Sequence, residues 1–147
     1  VLLGGKKVAG VLIETAVARE AARDQVWAVI GIGINIVMPE RLAALIGRPV
    51  AAASRLQADR NRVLAVLLNG LVDAAILFET QGFKAFSERW NQRHAYSGQQ
   101  VTIVDRGQVL HEGRAAGVDD SGRLLLDTCN GQIAVVAGDV SLRAQDS

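Results

Sequence analysis

One cysteine, Cys129, stands in 147 residues. A lone cysteine excludes an intramolecular disulfide and a C-x-x-C metal site, and a reducing cytosol is its natural setting. Aromatic residues make up only 4% of a chain that is 50% hydrophobic, so its core has to be built mostly from Val, Leu, Ile and Ala. Charge of one sign is lacking too. The formal net charge is +1, with acids and bases interspersed, unlike the basic stripe of a nucleic-acid binder. No apolar run approaches the length of a membrane span, and no charged-then-apolar leader precedes a small-residue cleavage site. The expectation is a soluble, cytoplasmic protein with no membrane partner. The chain is long enough for one ordinary domain or two small ones. It starts on Val1 rather than Met, with a strand-like segment almost at once, the pattern of a chain cut inside a domain.

What is present falls into three regimes. From Val1 to Val37, "KVAGVLIE" and "VWAVIGIGINIV" are rich in Val and Ile and nearly continuously apolar. Such runs predict strands covered by packing on one or both faces. Between them "TAVAREAARDQ", Thr15 to Gln25, fits either a helical turn or a hairpin connection. The second regime is helical. "PERLAALIG" has proline at its start and Gly47 at its end. Asp59 offers an N-cap for "RNRVLAVLLNGLVDAAILFETQG", in which Val63, Leu67, Leu71, Ala74 and Phe78 form one apolar stripe. Gly82 closes that helix, and Phe83, Phe86 and Trp90 in the next segment share a packing face. From about Ser97, short β-rich pieces alternate with turn signals at Asp105-Arg106-Gly107, Asp120-Ser121-Gly122 and Asn130-Gly131. Their spacing suggests a small SH3-like barrel. A boundary is expected between Arg93 and Ser97.

Two short stretches carry chemistry. "GGKKVAGVLIET" places two lysines against a strand entry, and Gly10 lies inside that strand. A lysine there is either a surface group that snorkels into water or a cation facing an anionic ligand. "GIGINI" repeats glycine at Gly31 and Gly33 and then sets Asn35 at the end of the run. Glycine inside a strand costs stability but lets another group approach the backbone. The third glycine and helix start of a dinucleotide fingerprint are missing, which argues against a Rossmann site. Two adjacent strands with matched glycines would form a flat slot, and a lysine at its mouth would suit a carboxylate or a phosphate. His94 and His111 lack partners at metal or triad spacing, Cys129 has no base beside it, and Trp27 and Trp90 read as packing groups. Glu14 is either a ligand-side acid or the partner of a base on the neighbouring strand.

Taken together, Lys7-x-Ala9-Gly10-x-Leu12-x-Glu14 followed by Gly31-x-Gly33-Ile34-Asn35 resembles the central domain of biotin–protein ligase. The resemblance runs on through "ADRNRVLAVLLNGL", "FSERW" and the closing "GDVSLR", and so covers essentially the whole chain. It implies an α+β fold: the rear part of a class II synthetase-like mixed-sheet catalytic domain over residues 1–94, then an SH3-like barrel over 95–147. It implies that biotin and ATP form biotinyl-5′-AMP and that a lysine of a biotin carboxyl carrier protein domain then takes the biotinyl group. By match to the family motif, Lys7 is the catalytic and biotin-contacting cation, while Lys6 is a surface residue. Gly10, Leu12, Gly31, Gly33 and Ile34 fall on biotin-lining positions. Asn35 falls on a position associated with the nucleotide and its Mg2+, Arg143 on an arginine that reaches towards ATP, and Asp139 lies near it.

Lys7 and Gly10 have opposite parity, so a flat strand would send them to opposite faces. A bulge, a strong twist or a ligand lying on backbone would reconcile them. The family's Gly/Arg-rich adenylate loop belongs upstream of Lys7 and has no counterpart in the chain, so the resemblance implies a portion that is inactive alone. These residues contain no winged-helix pattern, so DNA is not an expected partner of this chain. The segment from Thr15 to Gln25 lies where the family can form a homodimer or order on ligand binding. The alternative readings are a non-catalytic biotin- or carrier-binding module and a related lipoate-type ligase.

Overall fold

The computed structural model describes residues 1–17, 26–47, 49–54, 59–136 and 140–144, with Val17 and 140–144 described by backbone only. The chain divides into two compact units, Val1–Val66 and Leu67–Ser147.

In the first unit, β1 (Leu2–Leu3) and β2 (Lys6–Lys7) form a minimal hairpin. Gly4 and Gly5 turn it with φ of 57° and 75°, values that only glycine adopts in succession without penalty. The two apolar runs become β3 (Ala9–Val17) and β4 (Val26–Ile34), paired antiparallel along their full length. The segment read as helical turn or hairpin connection enters β3 as far as Val17; the rest of it lies outside the described residues. The expected covering of these strands is not found. Val11 is 53% exposed, Ile13 59% and Val29 66%, and among the described residues β3 and β4 pair only with each other. Among the described residues their ladder is antiparallel, and a parallel pairing is found as an isolated bridge from Lys7 to Val50.

Local rules place the helices well. α1 (Glu40–Ile46) begins after Pro39 and ends on Gly47 in the left-handed region. α2 (Arg60–Gln81) is capped by Asp59, whose Oδ1 accepts the Arg62 N–H at 2.9 Å. It stops at Gly82, φ 66°. Val63, Leu67, Leu71 and Ala74 are half-buried as the stripe requires, but Leu77 takes the place expected for Phe78, which is exposed. The expectation that no apolar segment reaches membrane-span length is also corrected. By length and composition α2, with a mean hydropathy of 1.8, could cross a membrane, because Asn69 and Asp73 interrupt the run too sparsely to lower it.

The second unit holds the larger core. α3 (Lys84–Gln92) precedes β5 (Gln100–Asp105), β6 (Gln108–Val118), β7 (Leu124–Thr128), β8 (Gly131–Val135) and β9 (Val140–Ala144). All five strands pair antiparallel in the order β8-β7-β6-β5-β9. The expected turns are there, with φ of 46° at Arg106, 84° at Gly107, 82° at Gly122 and 106° at Gly131. The barrel is not. Among the described residues β8 and β9 are the two edges and share no ladder, so the sheet does not close. Register breaks at Ile103/Val104 and Ala115/Gly117 add twist without joining the edges. Val101, Ile103, Ala115, Leu126 and Val135 form the core, with Tyr96, Leu124 and Ile133 packed against it. Aliphatic residues make this core, as the scarcity of aromatics requires.

Candidate functional site

The candidate site is built on the β3–β4 ladder. Gly10 pairs directly with Gly33, and Leu12 with Gly31. Residues directly opposite in an antiparallel pair share a face, as do alternate residues along each strand. Gly10, Gly33, Leu12 and Gly31 therefore lie on one face, with three of the four positions bare of side chain. A β-carbon on Gly33 would meet no atom within 4 Å, and one on Gly31 would meet only the Leu12 carbonyl oxygen, at 3.8 Å. This is open, flat backbone. Glu14 follows on the same face opposite Val29, so no base faces it across the ladder. Ile34 pairs with Ala9 and its side chain belongs to the opposite face.

Lys7 reaches this face in spite of its parity. Val8 interrupts the strand between β2 and β3, and the Lys7 side chain folds back so that Cε and Nζ each lie 3.8 Å from the point a β-carbon on Gly10 would occupy. A β-carbon at Gly10 would stand in ordinary contact with the end of the lysine. The Lys7 backbone is pinned on both sides: its N–H donates to the Pro49 carbonyl at 3.1 Å, and its carbonyl accepts the Ala51 N–H at 2.9 Å. No carboxylate among the described residues pairs with the ammonium group. A half-buried, positioned cation with no counter-ion among the described residues is suited to an anionic ligand.

Asn35 is fixed just beyond the ladder. Its N–H donates to the Val8 carbonyl at 2.8 Å, and its carbonyl accepts the Ala53 N–H at 2.7 Å. Its Nδ2 donates to the carbonyls of Lys7 and Ala51, each at 3.3 Å. Two carbonyl acceptors fix which end of the amide is nitrogen, and no donor among the described residues engages Oδ1. That oxygen is a neutral, hard donor of the kind Mg2+ accepts. The described residues contain no cluster of three or more His, Cys, Asp or Glu that could hold a metal. Among the described residues Asn35 Oδ1 is the one oxygen of this site that a hard cation could take from the protein.

The remaining candidates are not gathered here. Arg143 lies on β9, its backbone opposite Thr102, and Asp139 is outside the described residues. His94 packs on Trp90 with ring centroids 4.5 Å apart and on Tyr96 at 6.3 Å; burial lowers its pKa from 6.5. Cys129 is exposed. Sequence reasoning missed Pro49–Ala51, the segment that clamps the Lys7 backbone. Its residues are small and apolar, and nothing local marks such a segment as the partner of a lysine more than forty positions earlier.

Comparison with known proteins adds a separate line. Residues 96–143 match the family model described as the biotin protein ligase C terminal domain. The chain is 29% identical over 147 residues to the bifunctional ligase/repressor BirA of Escherichia coli (strain K12), covering 98% of this chain and 44% of that protein. It is 32% identical over 145 residues to the biotin–[acetyl-CoA-carboxylase] ligase of Mycobacterium tuberculosis, covering 95% of this chain and 49% of the relative. It superposes on the biotin protein ligase from Aquifex aeolicus in complex with biotin and ATP with a TM-score of 0.73 at 25% identity, over 95% of this chain and 57% of the other. The chain spans about half the length of the curated relatives it matches.

Proposed function

We propose, for a chain that corresponds along almost its whole length to the C-terminal portion of biotin protein ligases, that it carries part of an ATP-dependent biotin-activating and biotin-transferring site. Residues 1–94 are the rear part of the catalytic domain in this reading, and 95–147 the C-terminal domain. The observation that carries the proposal is the seat of Lys7: an ammonium with no ion-pair partner among the described residues, folded over Gly10 at the mouth of a flat face made by Gly10, Gly31, Gly33 and Leu12. A ring with a carboxylate tail can lie on bare backbone with the tail at the ammonium. Ile34 would support the slot from the other face.

The chemistry follows from the charges. In the first step a carboxylate oxygen of biotin attacks the α-phosphorus of ATP, and the bond to pyrophosphate breaks. Two anions must meet, so a fixed cation between them stabilises the transition state more than the separated reactants. Lysine serves as a compact point charge for this. In the second step the neutral ε-amine of a carrier-protein lysine attacks the acyl carbon, AMP leaves, and the amine loses a proton. Mg2+ would neutralise phosphate charge, with Asn35 as a protein contact. Asp139 and Arg143 would serve the nucleotide. The upstream portion of the relatives supplies the rest of the site, so this chain alone is not expected to turn over.

The test is made in a full-length protein carrying this chain. Lys7→Ala should abolish biotin-dependent pyrophosphate release while calorimetry still detects biotin binding. An unchanged rate of release would remove Lys7 from the reaction. Titration with lipoate in parallel separates the related ligase class, and binding of biotin without any pyrophosphate release would favour a binding module.

A further inference from the structure

The dipeptide asparagine–glycine occurs twice in the chain, at Asn69-Gly70 and at Asn130-Gly131. Glycine in second place lets its backbone nitrogen approach the carboxamide, because no β-carbon crowds it. All four residues are exposed, so access to water does not separate the two pairs. Backbone does. Gly70 lies near the middle of α2, where its N–H serves the helix and the asparagine is held at helical angles. Asn130 is instead the second residue of the two-residue turn between Thr128 and Gly131, the last pair of the β7–β8 ladder. Gly131 has a φ of 106°, and a β-carbon built on it would meet nothing within 4 Å. The Thr128 hydroxyl accepts the Asn130 N–H at 3.2 Å and donates to the Gly131 carbonyl at 2.7 Å. Those bonds shape the turn, but among the described residues no hydrogen bond restrains the Asn130 carboxamide.

We propose that Asn130 is a site of spontaneous modification, converting to aspartate and isoaspartate in the folded protein while Asn69 is spared. The Gly131 nitrogen gives up its proton and attacks the carboxamide carbon of Asn130. That new C–N bond closes a five-membered imide, and the bond to the side-chain nitrogen breaks as ammonia leaves with the proton. Water then opens the imide at one of its two carbonyls. Opening at the side-chain carbonyl gives aspartate. Opening at the backbone carbonyl gives isoaspartate, with the main chain rerouted through the β-carbon. Either product adds a negative charge, and the second also lengthens the backbone of a turn whose length fixes the register. Among the described residues β8 is an edge strand paired with β7 alone, and it carries Ile133 and Val135 into the core region. Isoaspartate at position 130 therefore loosens β8 first.

The test ages a full-length protein carrying this chain at neutral and at mildly alkaline pH. Peptide mass spectrometry follows both asparagines, in native buffer and in urea. Unfolded, the two should convert at similar rates. Folded, Asn130 should convert at least about tenfold faster than Asn69, because a turn tip opens at little cost and a helix interior does not. Its rate should rise with pH, since the attacking nitrogen must lose a proton. An isoaspartyl methyltransferase should label the aged protein at position 130, and amide exchange in β8 should quicken while β5 and β6 hold. Asn130→Asp supplies the aspartate product alone and should keep β8 protected. The proposal is overturned if the folded protein converts Asn69 as fast as Asn130, or if Asn130 converts only in urea. It is also overturned if the aged protein takes no label at position 130.

Discussion

Asn91 Oδ1 lies 2.6 Å from the point that a β-carbon on Gly117 would occupy. The two residues are a matched pair: the glycine leaves the space that the carboxamide fills. From that seat Asn91 Oδ1 accepts the Val118 N–H at 2.7 Å, and Nδ2 donates to the Val118 carbonyl at 3.1 Å. A helix side chain thus engages β6 as a neighbouring strand would. Ser87 adds to the attachment by donating to Asp120 at 3.0 Å, and Phe83 stands close over Gly122. α3 and the β6–β7 turn are held together in this way.

Gly117→Ala should therefore destabilise the second unit. The backbone at this position has a φ of 112°, strained for any residue with a β-carbon at about 1–3 kcal/mol, and the added methyl group also displaces Asn91. Urea denaturation followed by circular dichroism reads the loss; an unchanged midpoint would show that Asn91 gives way freely.

Asn91→Ala should cost about 1–3 kcal/mol, because it leaves both backbone groups of Val118 without their partner in a partly buried place. Asn91→Asp keeps the acceptor and loses the donor, so its midpoint should fall between those of wild type and alanine. Equal midpoints for all three proteins would mean that water replaces the amide at no cost.

Gly33→Val separates stability from binding. A β-carbon there meets nothing within 4 Å, and valine suits a strand, so the melting temperature should hold or rise. The branched side chain would nevertheless stand in the proposed slot. Biotin affinity should drop by at least about tenfold, about 1.4 kcal/mol, in calorimetry on a full-length protein carrying this chain. Undiminished affinity would move the ligand off the glycine face.

His94 should make the second unit acid-sensitive. Burial lowers its pKa below 6.5, and its buried Nδ1 has no hydrogen-bond partner among the described residues. The neutral ring is thus the form that the fold favours. The unfolded chain takes up a proton first as pH falls through 6.5, so stability is complete above that value and declines below it until the folded-state ring also titrates. The melting temperature should fall on acidification over that window, and His94→Gln should flatten this part of the profile. An identical slope in the variant would assign the acid sensitivity to other groups.

The ends of elements were readable from the residues alone. Pro39 and Gly47 bound α1, Asp59 and Gly82 bound α2, and the glycines at 107, 122 and 131 mark turns where the chain does turn. Such signals act within a few residues and need no tertiary context: a fixed proline φ, a carboxylate within reach of a free N–H, and a left-handed backbone that only glycine adopts cheaply. The glycines of the candidate slot were visible in the same way, as bare positions within strands. Their pairing was not, because register is set by contacts across some twenty residues. The fold of Lys7 over Gly10 depends on the break at Val8 and on Pro49 and Ala51 holding its backbone. The open sheet of the second unit was equally hidden: the turns dictate five short strands, but whether the outer two meet depends on twist summed over every strand between them. Likewise Asn91 and Gly117 lie 26 positions apart, on a helix and a strand, and only packing brings a carboxamide to the one place along β6 where a missing β-carbon leaves room for it.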